Sequence, residues 1–333
     1  MRKLSKILIF RQSSLGDVIL TLPVVKALKE NYPDSQIDFI TKTPYAPLLK
    51  HNPGINNVIE FTNNDSFKTV LHEIKKTGYD FFVDLQANFR SMAIKLALFP
   101  TKSGKYKKRR LAREMIVRKP RLKNLRVDHT INSYFTAVQK LQIDYKPEPP
   151  EVVIPDNINN SIGDKLSELF PNNNKLIAIC PGAKHFEKKW PTDQYAEVAN
   201  KFLGQNCNIV VISTSADDLP SDLEISDPNL KAFQDAEIIE VAAILKNCDV
   251  AITNDSGLMH LSCGVGTPVV AIFGPTHPRL GFSPSLDGSR IITNNFQCSP
   301  CSVHGQQPCY QPKKYCFETI TPDIIIDALN DMI

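Results

Sequence analysis

Residues able to do acid–base or phosphate chemistry gather in three short polar stretches of this sequence. The first is Arg11-Gln12-Ser13-Ser14-Leu15-Gly16-Asp17. Asp17 has two readings: a carboxylate that caps the start of a helix, or a catalytic base on the floor of a ligand cleft. The stretch is not Gly-x-Gly-x-x-Gly, so the dinucleotide-binding fingerprint is absent. The second stretch runs Pro181-Gly182-Ala183-Lys184-His185-Phe186-Glu187-Lys188-Lys189-Trp190-Pro191. Three lysines and the only Trp of the chain share this loop. A Lys ammonium neutralises a phosphoryl oxygen as a point charge, which suits a phosphate ligand. A solvated loop with Trp190 as a packing anchor is the other reading.

The third stretch is Thr253-Asn254-Asp255-Ser256-Gly257-Leu258-Met259-His260, followed by Gly264-Val265-Gly266-Thr267-Pro268 and Gly274-Pro275-Thr276. Ser256 and Gly257 open a helix whose first amide groups lack intrahelical partners and so can hold an anion. Gly257 lets a ligand approach the backbone. His260 follows it by three residues and falls on the same helix face.

A fourth cluster has a different chemistry. Cys298, Cys301, Cys309 and Cys316 fall within nineteen residues, whereas Cys180, Cys207, Cys248 and Cys263 sit in or beside apolar elements. Four clustered thiolates can make a tetrahedral zinc or iron site. Reduced packing cysteines and disulfides are the other readings, and a reducing compartment disfavours the last.

The elements that must position these residues alternate. Apolar strands read at Lys6–Phe10, Ile37–Thr41, Asn57–Phe61 and Phe81–Leu85, with helical patterns at Phe67–Lys76, Ser91–Phe99 and Asn132–Leu141 between and after them. Pro147, Pro149, Pro150 and Pro155 then interrupt the pattern and mark a domain linker. Strands resume at Leu176–Cys180, Asn208–Ser213, Val250–Thr253 and Pro268–Phe273, alternating with helices, and a helix from Asp323 closes the chain. This alternation predicts two parallel, helix-covered sheets, domains 1–150 and 151–333. Each polar stretch then follows a strand, where ligands of doubly wound sheets bind.

The length of 333 residues suits two such domains. No apolar run approaches the ~20 residues of a membrane-spanning helix, and the first is too short for a signal peptide, so a cytoplasmic protein is expected. Residues 1–150 hold 27 Lys and Arg against 13 Asp and Glu, and residues 151–333 hold 12 against 22. Twelve cations, among them Arg109, Arg110, Arg113 and Lys123, stand between Lys102 and Arg126 with one acid, Glu114. Such a run is either a solvated face or a surface for an anionic partner. Few aromatics interleave with the cations, which argues against nucleic acid.

Three blocks together resemble glycosyltransferase family 9, the lipopolysaccharide heptosyltransferases. They are Leu15-Gly16-Asp17-Val18-Ile19-Leu20-Thr21-Leu22-Pro23, the Pro181 to Pro191 block, and Asn254 to Leu261 followed by Gly266 to Thr276. The resemblance implies a GT-B fold: two Rossmann-like domains facing a central cleft, with the last helix (about 322–333) returning to the first domain. It implies inverting transfer of heptose from ADP-heptose to the lipopolysaccharide inner core. The N-terminal domain would take the acceptor and the C-terminal domain the nucleotide sugar. Asp17 matches the family's general base and Lys188 its phosphate-binding lysine. Ser14, Gly16, Gly182, Ala183, Lys184, Asp255, Ser256, Gly257, His260, Gly274 and Thr276 fall in its donor site. Lys184 departs from relatives that carry a hydroxyl there, which bears on nucleotide or sugar preference.

Two consequences follow for cofactors and partners. With no Asp-x-Asp in the chain, catalysis is expected to need no metal, and any zinc or iron at Cys298, Cys301, Cys309 and Cys316 would be structural. Arg109, Arg110 and Arg113 would meet the anionic acceptor, with peripheral contact to the inner membrane. Competing readings are transfer from another nucleotide sugar, a nucleotide-sugar epimerase of the same fold, and a non-catalytic nucleotide-sugar-binding protein. The epimerase would need no basic acceptor surface, and the binding protein would have no task for Asp17.

Overall fold

A computed structural model of the chain describes residues 4–122, 124–213, 223, 227–294 and 296–333; Lys123 of the basic run lies outside them. The chain divides into two compact units, one of residues 1–109 with 129–153 and one of residues 110–128 with 154–333. The last of the three crossings, between Val153 and Ile154, falls at the Pro-rich linker. The excursion of 110–128 into the second unit has no composition signal, and it carries part of the basic run with it. Counted by unit, the charges become 20 Lys and Arg against 12 Asp and Glu, and 19 against 23. The asymmetry is smaller than the halves of the sequence imply.

The first unit is a five-stranded parallel sheet in the order β3-β2-β1-β4-β5. Its strands are β1 (Lys6–Phe10), β2 (Gln36–Lys42), β3 (Asn57–Phe61), β4 (Phe81–Asp84) and β5 (Lys102–Lys105). Its helices are α1 (Leu15–Ile19), α2 (Leu22–Asn31), α3 (Asn64–Thr77), α4 (Phe89–Ala97) and α6 (Thr130–Phe135); α5 (Arg110–Arg118) belongs to the second unit. β1 is buried on both faces, as a central parallel strand must be, which explains its continuous Ile-Leu-Ile-Phe run. Each fully buried side chain of that kind contributes about 1.5–3 kcal/mol. Leu8 and Phe10 meet Phe61, Phe67, Phe82 and Ile94 on one face of the sheet. Asn88 caps α4 by accepting from the Ser91 amide at 3.0 Å, a contact worth ~1 kcal/mol. Strand order reverses between β1 and β4, so their carboxyl ends form the switch point of the sheet.

The second unit is a six-stranded parallel sheet in the order β11-β10-β9-β6-β7-β8. Its strands are β6 (Leu176–Cys180), β7 (Asn208–Ser213), β8 (Leu230–Gln234), β9 (Val250–Asn254), β10 (Val269–Phe273) and β11 (Arg290–Thr293). Besides α5 it holds α7 (Asp156–Leu169), α8 (Thr192–Leu203), α9 (Ile238–Lys246), α10 (Gly257–Gly264), α11 (Tyr315–Glu318) and α12 (Pro322–Asn330). Its switch point lies between β6 and β9. Trp190, Tyr195, Phe202 and Phe317 fill the core on one face. The closing helix α12 adds Ile325, Ile326 and Leu329 to that same core, beside α8 and β10 of its own unit.

Candidate active site

Asp17 stands two residues into α1, just beyond the carboxyl end of β1 and therefore at the switch point of the first sheet. Its carboxylate is 22% exposed and held by three side chains. Arg11 Nη2 lies 2.7 Å from Oδ2, Tyr134 donates its hydroxyl to Oδ1 at 2.8 Å, and Ser14 Oγ donates to Oδ2 at 3.0 Å. Burial pushes the carboxyl pKa up. The Arg11 guanidinium and the hydrogen bonds from Tyr134 and Ser14 outweigh it, and the net shift is downward. Asp17 is thus a fixed, ionised carboxylate whose side chain remains partly exposed. The Ser14 amide also points at Oδ2, at 3.4 Å, so the capping contact is present beside the ion pair.

Arg11 is set just as firmly. It donates from Nε to the Ser13 carbonyl at 2.8 Å and from Nη1 to the Leu85 carbonyl at 2.6 Å, and its guanidinium lies 5.5 Å from the ring centre of Tyr134. Burial lowers its pKa, the Asp17 charge raises it, and the charge prevails. Tyr134 is buried against both and titrates well above its ordinary value. Sequence reading assigned no role to Arg11 or Tyr134. Arg11 adjoins the motif and was open to notice, but Tyr134 is 117 residues from Asp17 and only the fold brings it there.

In the second unit, three loops converge. Lys188, from the loop after β6, places Nζ 2.7 Å from Oδ2 of Asp255, which follows β9; the two side chains are 15% and 10% exposed. Thr276, after β10, donates Oγ1 to the same oxygen at 2.6 Å. Asn254 ties the first two loops together: it accepts from the Trp190 amide at 3.0 Å and donates to the Pro181 carbonyl at 2.7 Å. The switch point between β6 and β9 lies at this junction. Ser256 occupies the N-cap position of α10 without a side-chain capping bond, and its buried hydroxyl finds no partner among the described residues. Gly257 and the amides behind it open toward the same end, and His260 is buried one turn on.

The remaining predicted residues are distributed unevenly. Gly182 and Ala183 are half-buried at the start of the β6 loop, and Lys184 is exposed. Gly274 faces the Phe317 ring, which a Cβ would meet at 2.3 Å, so close packing requires glycine there. Trp190 is fully buried, with Nε1 donating to the Ile320 carbonyl at 3.0 Å, and acts as the packing anchor. One buttress escaped sequence reading. Gly305, at φ +70°, lies against the stem of Lys188, and a Cβ there would meet Cγ at 2.3 Å.

Of the basic residues, Arg109 and Arg110 are exposed, the latter paired with Glu114 at 2.8 Å. Arg113 is not the surface cation expected of it. It is buried in the second unit, donates Nε to the Leu280 carbonyl at 2.9 Å and lies 4.5 Å from the ring centre of Phe282. One turn of helix inward from Arg110 is enough to bury a long side chain whose stem is apolar.

Cys298, Cys301, Cys309 and Cys316 line one small cavity together with Tyr310, Tyr315 and Glu187. All eight cysteines are free. Burial first, then the nearness of the other thiols, pushes Cys301 up to about 11 and Cys316 up to about 12. Among the described residues no three such side chains stand at metal-binding spacing.

With this geometry in hand, the comparisons with known proteins decide the family. Residues 68–310 match the model of glycosyltransferase family 9 (heptosyltransferase). The chain belongs to glycosyltransferase family 9. A curated relative, lipopolysaccharide heptosyltransferase 2 of Salmonella typhimurium, is 25% identical over 311 residues, 86% of this chain and 87% of the relative. The solved structure of the E. coli ADP-heptose lipopolysaccharide heptosyltransferase II superposes with a TM-score of 0.74 at 22% identity, over 98% of both chains. An iron-containing dodecameric glycosyltransferase, TibC of enterotoxigenic E. coli, superposes at 0.63 with 14% identity, over all of this chain and 77% of that one. This family 9 enzyme therefore has the GT-B fold of two Rossmann-like domains. No helix among its described residues is long and apolar enough to cross a membrane.

Proposed function

We propose that this family 9 glycosyltransferase moves heptose from ADP-heptose to the lipopolysaccharide inner core, with inversion at the anomeric carbon, on the cytoplasmic face of the inner membrane. The observation that carries the reading is Asp17, an ionised carboxylate fixed at a switch point and still partly exposed. The acceptor hydroxyl gives its proton to Asp17 as its oxygen bonds to the anomeric carbon, a general-base step worth about 10²–10⁴ in rate. The bond from that carbon to the diphosphate oxygen breaks, and ADP leaves. Lys188, the Ser256 hydroxyl and the first amides of α10 supply fixed donors for the charge on the leaving diphosphate. Asp255 and Thr276 hold Lys188 in place. In this reading the first unit takes the acceptor, Arg109 and Arg110, where the chain passes from the first unit into the second, meet its anionic groups, and Gly182, Ala183, Lys184, His260 and Gly274 complete the donor site.

The Cys298, Cys301, Cys309 and Cys316 thiols suit a structural metal by donor type, four soft donors around one cavity, although they would have to draw together to reach metal-binding spacing. Zinc or iron there would tie together a segment with little regular structure and would take no part in the transfer.

The experiment is direct. Purified protein is given ADP-heptose, ADP-hexoses and UDP-hexoses in turn with heptose-deficient core acceptor, and released nucleotide and extended glycan are measured together. Glycan extension with ADP-heptose alone supports the reading. Turnover of another donor, or donor isomerisation without extension, replaces it.

A further inference from the structure

The outward side of α4 is apolar. Phe89, Met92, Leu96 and Phe99 recur at helical spacing and are 87, 53, 72 and 84% exposed, while Ser91, Ile94 and Leu98 face inward. Three of the twelve large apolar side chains exposed among the described residues thus fall on one short helix, and a fourth, Phe99, lies two residues past its end. A helix on a doubly wound sheet ordinarily presents polar residues there, and contiguous exposed apolar surface marks an interaction site. The surrounding sequence has a single sign. From Leu85 to Arg109 the chain carries Arg90, Lys95, Lys102, Lys105, Lys107, Lys108 and Arg109 and no acid. Lys95 is exposed beside the apolar stripe on α4 itself, whereas Arg90 is tied down by Gln12 at 3.1 Å and Asn64 at 2.7 Å.

From this we infer that α4 docks on an anionic lipid surface, its apolar stripe entering the acyl boundary and its cations meeting the phosphates. A second copy of the chain would bring cation against cation at this face, whereas a bilayer offers apolar depth and negative charge together. The inference rests on the reading above, in which the acceptor is carried by a membrane, and it names the surface that meets it. α4 starts five residues beyond Asp84, the last residue of β4, at the switch point that also holds Asp17. Docking there would bring the bilayer to the acceptor side of the first unit.

The test is flotation of the full-length protein with phosphatidylcholine vesicles, with and without phosphatidylglycerol, at low and high salt. Two variants are compared, Met92→Gln with Leu96→Gln, and Phe89→Ser with Phe99→Ser, each checked by thermal melting; all four positions are exposed, so melting should not move. Native protein should partition onto the anionic vesicles alone and less at high salt. Each variant should lose about tenfold for every side chain withdrawn from the bilayer. Equal partition of native and variant proteins overturns the inference, as does a concentration-dependent dimer that the variants abolish. Transfer to a delipidated core saccharide separates the two readings. It should be unchanged in the variants, and its absence in the native protein would strike the proposed reaction while leaving vesicle binding to stand.

Discussion

Lys188 and Asp255 form an ion pair at 2.7 Å that is almost closed to solvent, although 67 residues separate them and each begins as a surface-type side chain. Breaking such a pair leaves a buried charge uncompensated, which costs about 3–5 kcal/mol. Lys188→Ala should therefore lower the melting temperature as well as weaken donor binding. Lys188→Ala with Asp255→Asn should recover much of the stability and none of the affinity. Calorimetric donor titration beside thermal melting checks this, and donor affinity recovered in the double variant would mean that Lys188 serves only to neutralise Asp255.

Asp17→Asn should lower the transfer rate by about 10²–10⁴ while donor affinity stays near normal, because the amide cannot accept the acceptor's proton. Turnover measured beside donor calorimetry decides it, and native turnover would leave Asp17 a helix cap.

The pH dependence follows from the same carboxylate. Its pKa in the folded protein lies below that of an ordinary aspartate, because the Arg11 charge and the hydrogen bonds from Tyr134 and Ser14 outweigh burial. The stability it contributes is present above the ordinary value and is lost as pH falls through the lower, folded pKa. A pH–rate profile should show no acid limb from Asp17 above the ordinary carboxylate range, and Asp17→Asn should flatten the acid end of the stability curve. A limb near neutrality that disappears in Asp17→Asn would contradict the Arg11 pairing.

Much of this was legible in the sequence because central parallel strands are buried on both faces and read as continuous apolar runs. β1, β6, β7 and β9 stand out for that reason. The strands that sequence reading passed over are edge strands. Lys102–Lys105 is Lys-Ser-Gly-Lys, and Leu230–Gln234 and Arg290–Thr293 each bury one face at most. Their strand character comes from a neighbour's hydrogen bonds rather than from their own pattern. The site divides in the same way. Asp17, Lys188 and Asp255 sit in local motifs, whereas Tyr134 and Gly305 reach the site through tertiary structure. Arg113 shows the converse, since charge alone placed it on the surface and packing placed it inside.

That correction sharpens the acceptor prediction. Arg109→Gln with Arg110→Gln should raise the acceptor's KM and flatten its salt dependence, because exposed charges act over ~8 Å at physiological salt. Donor KM should not move. Arg113→Gln should instead lower the melting temperature, since it removes the bond to Leu280 and the contact with Phe282. Acceptor KM measured across a salt series gives the answer, and a matching rise in donor KM would refute the division between acceptor and donor surfaces.

The cysteine cluster is physically tied to the donor loop. Gly305, between Cys301 and Cys309, supports the stem of Lys188. Lys314, two residues before Cys316, pairs with Glu187 at 3.3 Å and lies 3.9 Å from the ring centre of Phe186. A metal held by Cys298, Cys301, Cys309 and Cys316 would stiffen that support. Ligands of such a site must be thiolates, and a cation offsets the mutual repulsion that otherwise keeps clustered thiols protonated. Protein purified without chelator should carry about one equivalent of zinc or iron. Cys301→Ser should lose the metal, melt earlier and bind the donor more weakly, with a smaller effect on the transfer rate at saturating donor. Elemental analysis, thiol titration and donor calorimetry on the same preparation settle it. All four thiols titratable in native protein that carries no metal would leave the cysteines as packing residues.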